Sequence, residues 1–127
     1  MSATNAFYRC SICGNIVELI NDGGGELVCC GQPMNLLQPN TSDGATEKHV
    51  PVAVREGSKV HVTVGSVAHP MTEAHYIQWI CVAQGSRTQR VSLEPGQAPE
   101  ADFAVDDGPL TIYEYCNLHG LWKAELA

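Results

Sequence analysis

The chain has 127 residues, of which 44% are hydrophobic and 17% charged. That size and balance exclude a disordered polymer and fit one domain, or one domain with a small appendage. Acidic residues outnumber Lys and Arg by 14 to 7, for a formal charge of −7, so the basic stripe of a nucleic-acid binder is missing.

Six Cys and five His stand out in so short a chain. Met1 to Cys10 has neither a basic start nor an apolar stretch of the length that export requires. The longest apolar runs, Val50 to Val54 and Trp79 to Ala83, hold five residues, against the roughly 20 needed to cross a membrane. The expectation is a cytoplasmic protein without a nucleic-acid or membrane partner. In that reducing setting, clustered cysteines read as metal ligands or redox thiols rather than disulfides.

Cys10 and Cys13 form a C-x-x-C followed directly by Gly14. The two-residue gap lets both thiolates reach one ion from a tight turn, and glycine supplies the positive φ of such a knuckle. Cys29-Cys30-Gly31 follows, with Gly23 to Gly25 placed midway to fold the chain back. Four thiolates at this spacing make a closed tetrahedral site that suits zinc or a mononuclear iron. Ligands adjacent in sequence should splay one S–metal–S angle.

Gln38 to Gly44 is rich in turn formers and marks a boundary, giving an N-terminal segment 1–37 and a second segment 38–127. The first lies below the roughly 40 residues that fold without a staple, which a metal would supply. The second reads as β structure. Lys59 to Val64 alternates, with Val60, Val62 and Val64 on one face and His61 and Thr63 on the other. Tyr76 to Val82 and Leu110 to Tyr115 read as further strands, and Thr88 to Leu93 and Ala101 to Val105 as weaker ones. Short strands separated by turns predict an antiparallel β-sandwich.

Histidines cluster at the ends of these strands: His49 after the linker, then His69 and His75, then His119 three residues after Cys116. Cys116 and His119 can chelate one ion, and further imidazoles can complete the site. Imidazole with thiolate suits zinc, iron or copper. Four imidazoles and a thiolate exceed the usual needs of catalytic zinc, whereas five ligands with a sixth place open suit a redox-active iron. His61, on the polar side of its strand, stays outside the set.

Cys10-x-x-Cys13 with Cys29-Cys30, Glu47-Lys48-His49-Val50-Pro51, His69-Pro70-Met71, His75-Tyr76-Ile77-Gln78-Trp79 and Cys116-Asn117-Leu118-His119-Gly120 together resemble desulfoferrodoxin, the two-iron form of superoxide reductase. The five pieces keep their order over nearly the whole chain. The resemblance implies a mainly β protein: a small desulforedoxin-like N-terminal domain, then an immunoglobulin-like sandwich. It implies two irons per chain. One would be held by Cys10, Cys13, Cys29 and Cys30, the other by His49, His69, His75 and His119 in a plane with Cys116 axial. It further implies one-electron reduction of superoxide to hydrogen peroxide without oxygen release, a small rubredoxin-like electron donor and a homodimer. Glu47 and Lys48 match the family's mobile active-site pair; Lys48 would steer superoxide and Glu47 would close the open face. Two residues depart from the pattern. Cys81 has no role to inherit; it follows Ile77 and Trp79 at period two and reads as a buried inert thiol on their face. Leu121 stands where relatives tend to carry a polar residue, and would affect access if it bordered the iron.

Overall fold

Alternating valines set the first sheet of the larger unit. A computed structural model describes residues 5–41 and 48–127. The chain divides into two compact units, Met1–Gln38 and Pro39–Ala127, and no helix occurs among the described residues. In the second unit β7 (Lys59–Val64) turns Val60, Val62 and Val64 inward, each without exposed surface. β6 (Pro51–Glu56) and β10 (Glu100–Ala104) pair antiparallel on its two edges. The second sheet runs β12 (Gly120–Leu126), β11 (Leu110–Cys116), β8 (Ile77–Gln84), β9 (Arg87–Ser92), again antiparallel. Ile80, Val82, Leu110, Ile112, Phe103 and Val105 join the valines in one apolar core between the sheets. Three strands against four, with the chain changing sheet after β7, β9 and β10, is an immunoglobulin-like sandwich.

A one-residue irregularity shapes the central pair. Tyr115 pairs with Trp79 but Cys116 pairs with Ile77, so Gln78 is an extra residue on β8. The bulge turns Ile77 onto the core side with Ile80 and Val82, and leaves Trp79 and Cys81 on the other face. The period-two reading that grouped Cys81 with Ile77 is corrected accordingly. Cys81 has no exposed surface, Trp79 stacks on Tyr115 with ring centres 6.0 Å apart, and Tyr113 beside them is also buried.

His61 has an ordinary occupation. It points outward from β7, and its Nδ1 lies 2.6 Å from Oδ1 of Asp102, its cross-strand partner on β10. That bond holds the Asp102 carboxyl below the usual range. At the end of the sandwich where β11 begins, Gln84 both donates to the Asp106 carbonyl and accepts from the Asp106 N–H, at 2.7 and 2.9 Å, closing the turn between β10 and β11.

The first unit is built from much shorter strands. β1 (Ala6–Arg9) lies between β2 (Ile16–Leu19) and β5 (Asn35–Leu36). β3 (Val28–Cys29) and β4 (Gln32–Pro33) form a separate hairpin. Among its described residues only Phe7 and Cys10 are buried. So little apolar burial falls far short of the ordering entropy of the chain.

Ile112 tests where the core of the larger unit lies. Its replacement by Ala should cost about 2–5 kcal/mol in urea unfolding, the range for deleting a fully buried aliphatic side chain. A loss under about 1 kcal/mol would mean that the core does not centre on β11.

Candidate metal centres

The four-cysteine cluster grows out of two tight turns. Cys10 directly follows β1, and the turn after it sends the N–H groups of Ile12 and Cys13 back to the Cys10 Sγ at 3.4 and 3.5 Å. Cys29 ends β3, and the hairpin continues through Cys30 at φ 55° and Gly31 at φ 76°. The left-handed Cys30 is what brings neighbouring side chains to one place, at a local cost of about 1–2 kcal/mol for a residue with a Cβ. All four sulfurs lie within 4.8 Å of one another. Cys13 Sγ is 3.6 Å from Cys29 Sγ, and Cys29 Sγ is 4.0 Å from Cys30 Sγ. A tetrahedral ion with metal–sulfur bonds of about 2.3 Å spaces its ligands about 3.8 Å apart. The two distances bracket that value, and all four are free thiols.

Electrostatics gives the same answer. Hydrogen bonds from the Cys13 and Ile12 backbone pull the Cys10 thiol down to about 6. Its neighbours move the other way: the surrounding sulfurs, Cys13 first, push Cys30 up to about 12 and raise Cys29 as well. Four thiols this close ionise together only around a cation.

The second cluster sits at the end of the sandwich where β7 and β11 finish. His49 precedes β6. His69 follows β7, its N–H bonded to the Val64 carbonyl at 3.0 Å. His75 closes a bridge with Thr72, with backbone bonds of 3.0 and 3.2 Å, before β8 begins. Cys116 ends β11, and His119 lies in the turn to β12, where Gly120 at φ 88° pairs with Cys116. Asn117 ties these loops together. Its amide donates to the Ala74 carbonyl at 3.0 Å, and its side-chain oxygen accepts the Tyr76 N–H at 2.9 Å.

The four imidazoles stand at the corners of a square. Going round, ring centres are 4.8, 4.6, 5.0 and 4.8 Å apart, with adjacent rings 67° to 80° from parallel. Across the square, His49 and His75 are separated by 6.5 Å. Half of that diagonal matches the roughly 3.2 Å from an ion to the centre of a ring bonded at about 2.1 Å. His49 Nε2 lies 3.1 Å from His119 Nδ1, near the roughly 3.0 Å expected between neighbouring corners. Cys116 Sγ is 3.7 Å from His119 Nδ1, and all five donor atoms lie within 4.8 Å of one another.

Two nitrogens decide that the square suits a metal. The Pro70 carbonyl accepts from His69 Nδ1 at 2.7 Å, which fixes the tautomer and leaves a lone pair on Nε2. That Nε2 and the Nε2 of His75 are buried and have no hydrogen-bond partner. Burial pushes His69 down to about 4, and lowers His75, with His119, His49 and Lys48 adding to this. Burial also raises the Cys116 thiol, and the buried carboxylate of Glu114 adds to this. Cys116 and His69 close the inner side, while His119 is exposed on the other.

The sequence matches two family models: "Desulfoferrodoxin, N-terminal domain" over residues 2–37 and "Desulfoferrodoxin" over residues 41–125. The chain belongs to the desulfoferrodoxin family. It is 57% identical to the desulfoferrodoxin of Syntrophotalea carbinolica, over 93% of this chain and 94% of that one. The desulfoferrodoxin of Nitratidesulfovibrio vulgaris is 54% identical over the same shares. Among solved structures, the superoxide reductase from Treponema pallidum superposes with a TM-score of 0.81 at 35% identity, covering 95% of this chain and 98% of that one.

In this member of the desulfoferrodoxin family the two clusters comprise the nine residues singled out from the sequence. Lys48 is half-buried beside His75, and Glu47 lies outside the described residues. Leu121 does not border the square. It pairs with Tyr115 and is buried, while the next residue, Trp122, stacks on His49. Strand alternation sends the two side chains to opposite faces. Sequence reasoning misses Asn117 and Trp122 as site residues, although Asn117 stands inside the motif that flags Cys116 and Trp122 only two positions beyond it.

Because the first unit buries so little, its order should depend on its metal. Cys30→Ser should open Met1–Gln38 to limited proteolysis at least about tenfold faster, leaving the sandwich resistant. Equal protection in the variant would show that the unit folds without its staple.

Proposed function

We propose that this chain is a superoxide reductase with an iron at each cluster, and that it reduces superoxide to hydrogen peroxide without releasing oxygen. The observation that carries this reading is the square of four imidazoles closed on one side by the buried Cys116 and exposed on the other. Iron bound there supplies the electron, and superoxide, one electron and two protons make one molecule of hydrogen peroxide.

The chain's own residues do the rest. His69, held far below the usual imidazole range by burial, stays neutral at physiological pH and is ready to donate its lone pair. Neutral imidazoles leave the centre cationic and attractive to an anion. Cys116, a thiol kept protonated by burial in the absence of a cation, would give up its proton to hold the ion and would contribute thiolate electron density.

Lys48 offsets the acidic surface. Charges beyond a Debye length of about 8 Å are largely screened at physiological salt. A lysine about 4 Å from a superoxide oxygen contributes roughly 1 kcal/mol even at water-like dielectric. The near cation therefore outweighs the distant surplus of carboxylates. By the family resemblance Glu47, which lies outside the described residues, would close the site between turnovers.

The four-cysteine iron, in a domain spanning 1–37, serves as a staple. The reductase domain spans 38–127. Electrons come from a small rubredoxin-like donor, and the protein works as a cytoplasmic homodimer. None of the described residues forms a helix long and apolar enough to cross a membrane.

Reduced protein mixed with superoxide should yield stoichiometric peroxide and no oxygen; oxygen evolution would mean dismutation and overturn the assignment. Metal analysis should find two irons per chain, and two zincs would sink the reading. Cys116→Ser should abolish the reaction while the colour of the four-cysteine centre survives. Lys48→Ile should slow the encounter about tenfold or more and flatten its ionic-strength dependence. An unchanged salt slope would remove Lys48 from steering.

A further inference from the structure

Trp122 belongs to β12, in register with Glu114 of β11, and no role for it follows from the donor set. Its indole lies flat on the His49 imidazole, with ring centres 4.7 Å apart and planes 14° from parallel. Its Nε1–H donates to the His119 carbonyl at 3.2 Å. One side chain thus touches two corners of the square that are 70 positions apart in the chain. The strand beneath it is pinned independently. Asn40 bridges to Trp122, receiving the Lys123 N–H on its carbonyl at 2.8 Å and giving its own N–H to the Leu121 carbonyl at 2.9 Å.

From this contact we infer that Trp122 is the positioning residue for His49: its indole face sets the plane of that imidazole and tunes the bound iron. The inference rests on the reading of the square as an iron site. Metal-binding imidazoles are usually oriented by a hydrogen bond from their remote nitrogen, and His69 uses the Pro70 carbonyl in this way. His49 is held through its face as well. A stacked ring restricts rotation about the side-chain bonds and so lowers the entropy lost when the nitrogen meets the ion. The face also has an electronic effect. An imidazole on ferric iron is drained of more charge than one on ferrous iron, and an electron-rich indole face attracts the more positive ring more strongly. Trp122 accordingly favours the oxidised state.

Three full-length variants test this. W122F keeps an aromatic face and loses the N–H; W122L and W122M both lose the face, with W122M the more adaptable side chain. Iron-loaded proteins are challenged anaerobically with a competing chelator, and the four-cysteine iron, held by other residues, serves as the internal reference. W122L and W122M should lose the five-donor iron at about 10–100-fold lower chelator concentration, the usual penalty for removing a group that orients a ligand. W122F should stay within about threefold of the parent. The midpoint potential of the five-donor centre should rise in W122L and W122M and move less in W122F. Should W122L fail to fold, W122M and W122F still decide the comparison. Parent-like affinity and potential in W122M would overturn the inference, as would a loss in W122F equal to that in W122M, which would transfer the effect to the N–H. A parent protein that takes no iron at the square would instead overturn the proposed function itself.

Discussion

The pairing of β11 with β8 on one side and β12 on the other is the constraint on which the larger centre depends. β11 is the buried middle of its sheet, and it ends at Cys116. Its partners carry the flanking donors: His75 stands just before β8, and His119 just before β12. Asn117, one residue past the end of β11, hydrogen-bonds the Ala74–Tyr76 segment. The second sheet thereby brings three donors to one end, and the first sheet adds His49 before β6 and His69 after β7. A rigid sandwich displays its chemistry on such strand ends, where loops are free of core packing.

Each cluster holds a thiol that resists ionisation until a cation arrives, but the resistance differs in origin. In the four-cysteine cluster it comes from the thiols crowding one another, with Cys10 favoured and Cys30 pushed up to about 12. In the square it comes from burial, which keeps His69 neutral and Cys116 protonated. The first arrangement is closed around its ion by thiolates alone. The second leaves an exposed side at His119, and the two differ in the way that separates structural from reactive metal sites.

Local chemistry is more legible in the sequence than local structure. Spacing singles out the four cysteines and the Cys116/His119 pair, and the family resemblance completes the set of nine that the two clusters bring together. β7 can be read residue by residue, since its valines all face inward. β6 and β12 carry no readable strand pattern. On β6 the larger residues Val52 and Val54 face solvent while Ala53 packs on the core, so hydrophobicity is out of phase with burial. On β12 Trp122, Ala124 and Leu126 share one face, but the other carries the buried Leu121 beside Lys123 and Glu125, because Leu121 meets the aromatic layer at Tyr115. The bulge at Gln78 is hidden for another reason: Ile77, Trp79 and Cys81 are all buried, and a strand buried on both faces has no alternation to betray a shift. Trp122 is unreadable as a site residue because stacking leaves no signature in spacing.

The separations of the donors along the chain imply an order of assembly. The four cysteines span Cys10 to Cys30, a short loop whose ends meet at small entropic cost. The square needs His49 beside His119, 70 positions away, and therefore needs both sheets. As the polypeptide emerges from the ribosome, the thiol cluster is complete before the first imidazole has been synthesised. The reactive centre must wait for β11 and β12, the last strands made. Chain order thus makes the donors of the staple available before those of the exposed square.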